Sequence, residues 1–199
     1  MRLNGVPMRI QRFESQASKD EVVAHYRSYW QTSQLPAQPG KTIAAVTAKG
    51  ADMLVARTTG PFYSLVKVRS VGTGSEGTIS TSLLLGIEPS LDTAGVPAPA
   101  SATPASVVEA IDNGKRNKQV LFVSRDSLAS VAAWYAQALR AAGWTLLQEN
   151  AAPASVNNPA GLVRMFSRKE QQLDVALGQD LAAGVTLINA NLVTIGGPP

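Results

Sequence analysis

The chain contains two similar stretches of sequence, FESQASKDEVVAHY at residues 13–26 and FVSRDSLASVAAWY at residues 122–135. An offset of 109 positions aligns several identical residues in them, and one constant spacing of this kind is typical of an internal repeat. The identical pairs include Phe13 and Phe122, Ser15 and Ser124, Ser18 and Ser127, Val22 and Val131, and Tyr26 and Tyr135. We therefore interpret the chain as a tandem repeat.

Each stretch continues into a predicted amphipathic helix. In the first copy, Ser18 and Glu21 have the N-cap and N3 positions of a capping box, and apolar residues recur on one stripe over residues 19–33. In the second copy, Ser127 caps a helix over residues 128–142, and Gly143 follows where helices commonly end.

After each helix the pattern changes to short segments separated by glycine and proline, which is typical of an antiparallel meander. The predicted strands are residues 42–48, 53–58, 63–71 and 77–85 in the first copy, and 145–148, 162–168, 172–177 and 185–193 in the second. Residues 72–77 match the G-x-G-x-x-G pattern of dinucleotide-binding loops, but a β-branched, alternating segment follows them instead of a helix. We predict a glycine-rich hairpin at this point.

A Pro/Ala-rich segment separates the two copies. Residues 93–104 have the composition of an extended, semi-stiff spacer, and residues 106–113 are a candidate for one short helix. The predicted domains are a first repeat at residues 1–86, a linker at 87–118 and a second repeat at 119–199. The predicted fold class is α+β: two tandem repeats, each a strand, a helix and an antiparallel meander, with one helix packed on a three- or four-stranded sheet.

Composition argues against most enzyme chemistries. The 199 residues include no cysteine and one histidine, His25, so disulfides and thiolate sites are excluded, and zinc sites and Ser-His-Asp triads are nearly so. No apolar run approaches the ~18 residues that a membrane-spanning helix requires. We predict a protein that is not an enzyme, with no catalytic residue, no cofactor and no metal ligand.

The positive charge lies in the first half of the chain. The net charge is +4, and residues 1–86 carry ten Lys and Arg against five Asp and Glu. This balance is compatible with an acidic partner, anionic lipid or nucleic acid, although the chain lacks the dense basic clusters of a dedicated nucleic-acid binder.

Five residues are candidates for contact with a partner. If Met8, Ile10, Val66 and Val68 face the first helix, strand alternation places Arg9, Lys67 and Arg69 on the open face of the sheet. Phe62 and Tyr63 follow Gly60-Pro61 near a hairpin tip, where aromatic side chains are difficult to bury.

The Phe-x-Ser-x-x-Ser…Val-x-x-x-Tyr pattern, followed in the second copy by Leu139-x-x-x-Gly143-Trp144, resembles small bacterial cell-envelope proteins. The tandem arrangement around a Pro-rich spacer resembles the helix-grip modules of BamC-type outer-membrane assembly lipoproteins, although the lipobox cysteine of that family is missing. The resemblance implies an adaptor or accessory role and carries over no functional residue.

The leading functional expectation is a non-enzymatic interaction or adaptor module of the bacterial envelope, with an envelope-associated protein partner. Membrane contact would then be made through that partner. The alternatives are a binder of small apolar ligands or lipids, with a cavity between helix and sheet, and a nucleic-acid binder, which is less favoured. No signal peptide is recognised at Met1, which leaves a cytoplasmic protein or a mature fragment as the two expectations. The Pro/Ala-rich spacer and the envelope resemblance favour a mature periplasmic fragment.

Overall fold

The computed structural model describes residues 1–32, 45–49, 51–83, 86–152 and 160–195. Two helices lie in these ranges, α1 at Lys19–Thr32 and α2 at Leu128–Ala141. The twelve strands in the same ranges are β1 Arg2–Leu3, β2 Val6–Ser15, β3 Ala45–Lys49, β4 Asp52–Thr59, β5 Phe62–Val71, β6 Gly74–Leu83, β7 Thr103–Asp112, β8 Lys115–Ser124, β9 Thr145–Ala152, β10 Gly161–Arg168, β11 Gln171–Asp180 and β12 Val185–Ile195.

The described strands from Val6 to Leu83 have the order β3-β4-β5-β6-β2, and β1 with the described strands from Thr103 onward has the order β1-β7-β8-β12-β11-β10-β9. Hairpins account for most neighbours, and the pairs within each unit are antiparallel. Contacts divide the chain into two compact units, one at Val6–Glu88 and one that combines Met1–Gly5 with Pro89–Pro199. We refer to them as the first unit and the second unit.

The predicted fold class is wrong. The described part of the chain is mostly antiparallel sheet with two helices, and not a pair of equivalent modules in which one helix covers three or four strands. The physical reason is that segments outside the repeated sequence also pair. Residues 103–112, predicted to be spacer and short helix, form strand β7 on β8, and β1 from the start of the chain pairs with β7.

The repeated stretches do form similar local structure, since each is a strand end followed by a capped helix. At α1 the backbone N–H of Glu21 donates to Ser18 Oγ at 3.3 Å, and the backbone N–H of Ser18 donates to the Glu21 carboxylate at 2.8 Å. At α2 the backbone N–H of Ser130 donates to Ser127 Oγ at 3.1 Å. Both predicted helices are therefore confirmed: α1 continues to Thr32, the last described residue there, and α2 ends at Ala141, one residue before its predicted end.

Seven of the predicted strands are confirmed with shifted ends. The part of strand 42–48 before Ala45, and residues 84 and 85 of strand 77–85, lie outside the described residues. The hairpin predicted in place of a dinucleotide loop is also confirmed. Gly72 has a positive φ of 58° in the turn between β5 and β6, and Gly74 already belongs to β6. A second hairpin turns at Gly60, between β4 and β5.

The first unit has its core between α1 and one face of its sheet. Glycine 77 permits this packing, because a Cβ there would lie 2.8 Å from the Phe13 ring and 2.1 Å from the Lys67 carbonyl oxygen. The buried residues of this core are Val22, Val23, Trp30, Val55, Val66 and Val68.

The second unit has the larger core, beneath α2. Val131, Tyr135 and Leu139 point from the helix into the sheet and are at most 1% exposed. The Pro/Ala-rich segment takes part in this core, because Val96 is buried and the Pro97 carbonyl accepts a hydrogen bond of 2.9 Å from the Tyr135 hydroxyl. The segment predicted to be a free spacer is thus partly packed.

Candidate functional site

The face of the first unit's sheet that lies opposite α1 carries most of the predicted contact residues. We call it the open face. Val66 and Val68 of β5 are fully buried on the α1 side, so alternation places Lys67 and Arg69 on the open face, as predicted. Both side chains are exposed, at 52% and 60% respectively.

Arg9 lies on the other side of this sheet. Phe13 packs in the α1 core, and in the continuous β2–β6 register Arg9 shares its parity, whereas Ile10 and Arg12 alternate onto the open face. The prediction that Met8 and Ile10 face the helix is therefore wrong. The bulky ring of Phe13, accommodated by Gly77, decides which side of β2 is buried.

Five charged side chains meet at one end of the open face, and we call them the ion cluster. One Glu76 carboxylate oxygen accepts from Arg12 at 2.7 Å, and the other accepts from the Arg69 Nε at 2.7 Å and from a second Arg69 nitrogen. Beside them, Lys67 Nζ lies 2.8 Å from an Asp52 carboxylate oxygen. The cluster lines a hollow of about 370 Å³.

The cations of the ion cluster project outward, and the acids lie beneath them. The side chains of Glu76 and Asp52 are 16% and 23% exposed, whereas those of Arg12, Lys67 and Arg69 are 52–69% exposed. Hydrogen bonds from Arg69 and then Arg12 lower the pKa of Glu76, and the same carboxylate raises the pKa of Arg69. The surface that a partner meets at this end is therefore cationic.

The two predicted aromatic residues do not join the ion cluster. Tyr63 is half-buried on the open face but lies four residues from Lys67 along β5, a separation of about 13 Å. Phe62 is 47% exposed and has the opposite parity, so it projects from the other side of the sheet. As for the lone histidine, His25 is exposed and stacks on Tyr29, with ring centroids 6.2 Å apart.

Sequence reasoning missed Arg12, Glu76 and Asp52. Arg12 was missed because the sequence analysis predicted the wrong buried side for β2. Glu76 was missed because residues 72–77 were interpreted only as a glycine-rich hairpin turn. One signal was present. A hairpin turn at Gly72-Thr73 brings Glu76 directly opposite Arg69, and opposite charges at facing positions stabilise a strand pair.

A second hollow lies on the second unit, between α2 and strands β9 and β10. Its volume is about 440 Å³. Arg164 lies at its wall, where its Nε donates to Glu149 at 2.6 Å and another nitrogen donates to the carbonyl of Ala132. We call this hollow the α2 cleft, and its lining is Ala136, Arg140, Trp144, Thr145, Leu146, Glu149, Arg164 and Phe166.

Comparison with known proteins gives two similarities. A family model described as START domain-like matches residues 102–182, which is less than half of the chain. A solved apo structure of the immunity protein TplEi of the T6SS from Pseudomonas aeruginosa is 13% identical, with 98% of this chain and 83% of that chain covered. Its TM-score is 0.33, and a likeness at this level supports no conclusion about fold or function.

A search of curated proteins gives no match. Neither similarity is to a BamC-type lipoprotein, so these comparisons do not support the resemblance drawn from the sequence. None of the helices in the described ranges is long and apolar enough to cross a membrane.

Proposed function

We propose that this chain is a non-enzymatic protein-interaction module of the bacterial cell envelope, and that the ion cluster on its open face docks an acidic segment of a partner protein. The observation that carries the proposal is the burial order of the cluster. The side chains of Glu76 and Asp52 are mostly buried, whereas those of Arg12, Lys67 and Arg69 are exposed. An acidic surface would meet three cations before it meets either acid.

Glu76 supports docking because it holds two guanidinium groups in place. Each arginine carries five N–H donors in a planar fork, and Glu76 occupies only part of each fork. The remaining donors are held ready for a carboxylate, which lowers the entropy lost when a partner binds. Because the three cations are exposed to solvent, they contribute chiefly to the association rate and to specificity. Binding should therefore weaken as the salt concentration rises.

The location and the absence of catalysis belong to the same proposal. The envelope assignment, in the periplasm, rests on the Pro/Ala-rich composition between the strand-rich regions and on the sequence resemblance. The non-enzymatic assignment is supported by the chemistry of the ion cluster. Hydrogen bonds from Arg69 and Arg12 lower the pKa of Glu76, so this carboxylate is not suited to exchange a proton near neutral pH.

The test compares capture of partners from mildly crosslinked cells by three forms of the protein. The first is the wild type, the second is Arg12→Gln/Lys67→Gln/Arg69→Gln, and the third is the control Arg9→Gln/Arg27→Gln, which removes exposed cations outside the open face. We expect a protein with an acidic surface to be retained by the wild type and the control and lost from the triple variant. When the capture is repeated without crosslinker, about 0.5 M salt should release that protein from the wild type.

Two results would contradict the proposal. Equal retention by the triple variant would show that the ion cluster is not the docking site. Recovery of nucleic acid or anionic lipid in place of a protein, with the same dependence on the three cations, would assign the cationic end to that ligand instead. Thermal unfolding of all three forms separates loss of binding from loss of folding.

A second candidate function, binding of a small apolar ligand, is favoured by the α2 cleft. Trp144, Leu146 and Phe166 contribute apolar surface to this hollow of about 440 Å³, which lies in the region that matches the START domain-like model. The volume is within the range of small-molecule sites. The space beneath the middle of α2 is filled by Val131 and Tyr135, so the ligand would bind at the edge of the helix.

The probe for this candidate is the apolar dye anilinonaphthalene sulfonate, added to the native protein. Saturable fluorescence that is lost in Leu146→Asp, and kept in a Leu181→Asp control at another exposed leucine, would support ligand binding. Equal fluorescence from both variants would exclude the α2 cleft as its site.

A further inference from the structure

The sheet of the second unit presents a face opposite α2 that is rich in side-chain amides. Val120 and Phe122 of β8 are buried beneath α2, as are Ile188 and Ala190 of β12, so the alternate residues of both strands lie on the opposite face. We call this the amide face. Four amides lie together on it: Asn117, Gln119, Asn189 and Asn191.

These amides occupy positions that are unusual for their residue types. Asparagine and aspartate are depleted in strands, where they stabilise the extended backbone poorly. Strands β8, β12 and β11 nevertheless carry Asn117, Asn189, Asn191 and Asp174 at the centre of the second unit's sheet. Threonine at these positions would favour the strand more, and local departures of this kind are expected at functional sites, which makes the amide face a candidate binding surface.

A hollow of about 520 Å³ lies over the amide face, within the range of small-molecule sites. Its described lining includes two carboxylates, those of Asp112 and Asp174, and no cationic side chain. Apolar surface is interleaved with the polar groups, from Val108, Val163 and Ala176. The lining therefore disfavours an anion and suits a neutral ligand with both hydroxyl groups and C–H surface.

Several hydrogen-bond donors and acceptors of these side-chain amides are not used within the described part of the protein. Gln119 Nε2 donates to Asn189 Oδ1 at 2.9 Å, and Gln172 donates to Asp174 at 2.9 Å. The side chains of Asn117 and Asn191 have no hydrogen-bond partner among the described residues. Each amide offers a carbonyl acceptor and two N–H donors, which matches a hydroxyl group that both donates and accepts.

We propose that the amide face binds a neutral oligosaccharide. Sugar hydroxyl groups would bond to the four amides and to the two carboxylates, and the C–H surface of the rings would lie on Val163 and Ala176. A peptide strand fits this face less well. The backbone groups of β8, β12 and β11 are taken up by neighbouring strands, so a peptide could not extend the sheet here.

The test titrates the full-length protein with cellotetraose, maltotetraose and tetra-N-acetylchitotetraose, and follows the side-chain NH₂ signals by NMR. We expect at least one of these probes to shift the amide signals saturably in the millimolar range or below. Asn189→Val/Asn191→Val should lower the affinity at least tenfold without lowering the melting temperature, because valine is the better strand former. Gln137→Leu, at an exposed position of α2, is the matched control and should bind as the wild type does.

The proposal is overturned if none of the three oligosaccharides shifts the amide signals at about 10 mM, where even weak sites fill. It is also overturned if the double valine variant binds the responding probe as tightly as the control. If the signals shift with protein concentration instead of with sugar, the amide face is a contact between copies of this chain. If they shift only with a polar peptide, the ligand class is wrong.

Discussion

Replacing Tyr135 by phenylalanine should destabilise the second unit by a small, well-defined amount. The ring is fully buried beneath α2, and its hydroxyl donates to the Pro97 carbonyl at 2.9 Å. This hydrogen bond ties the Pro/Ala-rich segment to the core. The substitution removes one oxygen and keeps the ring, so it isolates the hydrogen bond from the packing.

The expected loss is about 1 kcal/mol, the net contribution of a typical hydrogen bond, because Pro97 is only half-buried and water can replace part of the missing donor. Tyr135→Ala removes the ring as well and should cost about 3–5 kcal/mol. In a chain of this length, each kcal/mol lowers the melting temperature by roughly 2–4 °C.

The assay is urea unfolding followed by tryptophan fluorescence in a Trp30→Phe background. Trp134 and Trp144 both belong to the second unit, so in this background the signal reports on that unit alone. The same measurement against pH adds an independent check. Burial raises the pKa of Tyr135, whereas the unfolded phenol ionises near its ordinary pKa of about 10. The unfolded state then loses the proton first, and stability falls as pH rises above about 10.

Phenylalanine has no such proton, so the difference in free energy of unfolding between wild type and Tyr135→Phe should shrink above about pH 10. The reasoning is refuted if Tyr135→Phe is as stable as the wild type at pH 7. It is also refuted if the alanine variant costs no more than the phenylalanine variant, since the fully buried ring would then contribute nothing.

Three further predictions test other parts of the structure. Gly77→Ala would place a Cβ 2.1 Å from the Lys67 carbonyl oxygen, so it should cost about 3 kcal/mol in thermal unfolding, whereas Gly178→Ala, which meets nothing within 4 Å, should change stability by under about 0.5 kcal/mol. Ser127→Ala removes the oxygen that caps α2 and should cost about 1 kcal/mol in the urea assay; an unchanged midpoint would show that water caps the helix equally well. Arg12→Gln should raise the pKa of Glu76 in a carbon-detected NMR titration, and Arg27→Gln should leave it unchanged. Because the folded pKa of Glu76 lies below its usual 4.5, the stabilisation from the ion cluster is present above about pH 4.5 and is lost as the pH falls.

Sequence reasoning predicted the helices and most strands because their signals are local. Ser18 with Glu21, and Ser127 before its apolar stripe, are complete within a few residues and were confirmed as caps. It failed at β7, where residues 103–112 pair with β8 and with the distant β1. The Asn113-Gly114 turn is a local hairpin signal for the pairing with β8 and was overlooked, whereas nothing local in the segment indicates the pairing with β1, about a hundred residues away.

For the candidate site, the alternation of side chains along β5 was sufficient to predict which side of the strand is buried, and that along β2 was not. In β5, the parity of Val66 and Val68 carries no charged residue, whereas the other parity carries Lys67 and Arg69, so the sequence indicates which side a helix covers. In β2, apolar residues occur at both parities, at Ile10 and at Phe13, and the sequence gives no reason to prefer either. The site residue Arg12 was therefore missed, and Arg9 was assigned to the wrong side.

The amino-acid sequence by itself determined the two capped helices, the hairpins at Gly60 and Gly72 and the outward position of Lys67 and Arg69, since each depends on side chains within a few residues of one another. Only the tertiary structure decided which side of β2 is buried, that Glu76 holds Arg12 and Arg69 together, and that four amides share one face of β8 and β12. These features depend on strand register between distant segments, and register is fixed by the packing of the whole sheet.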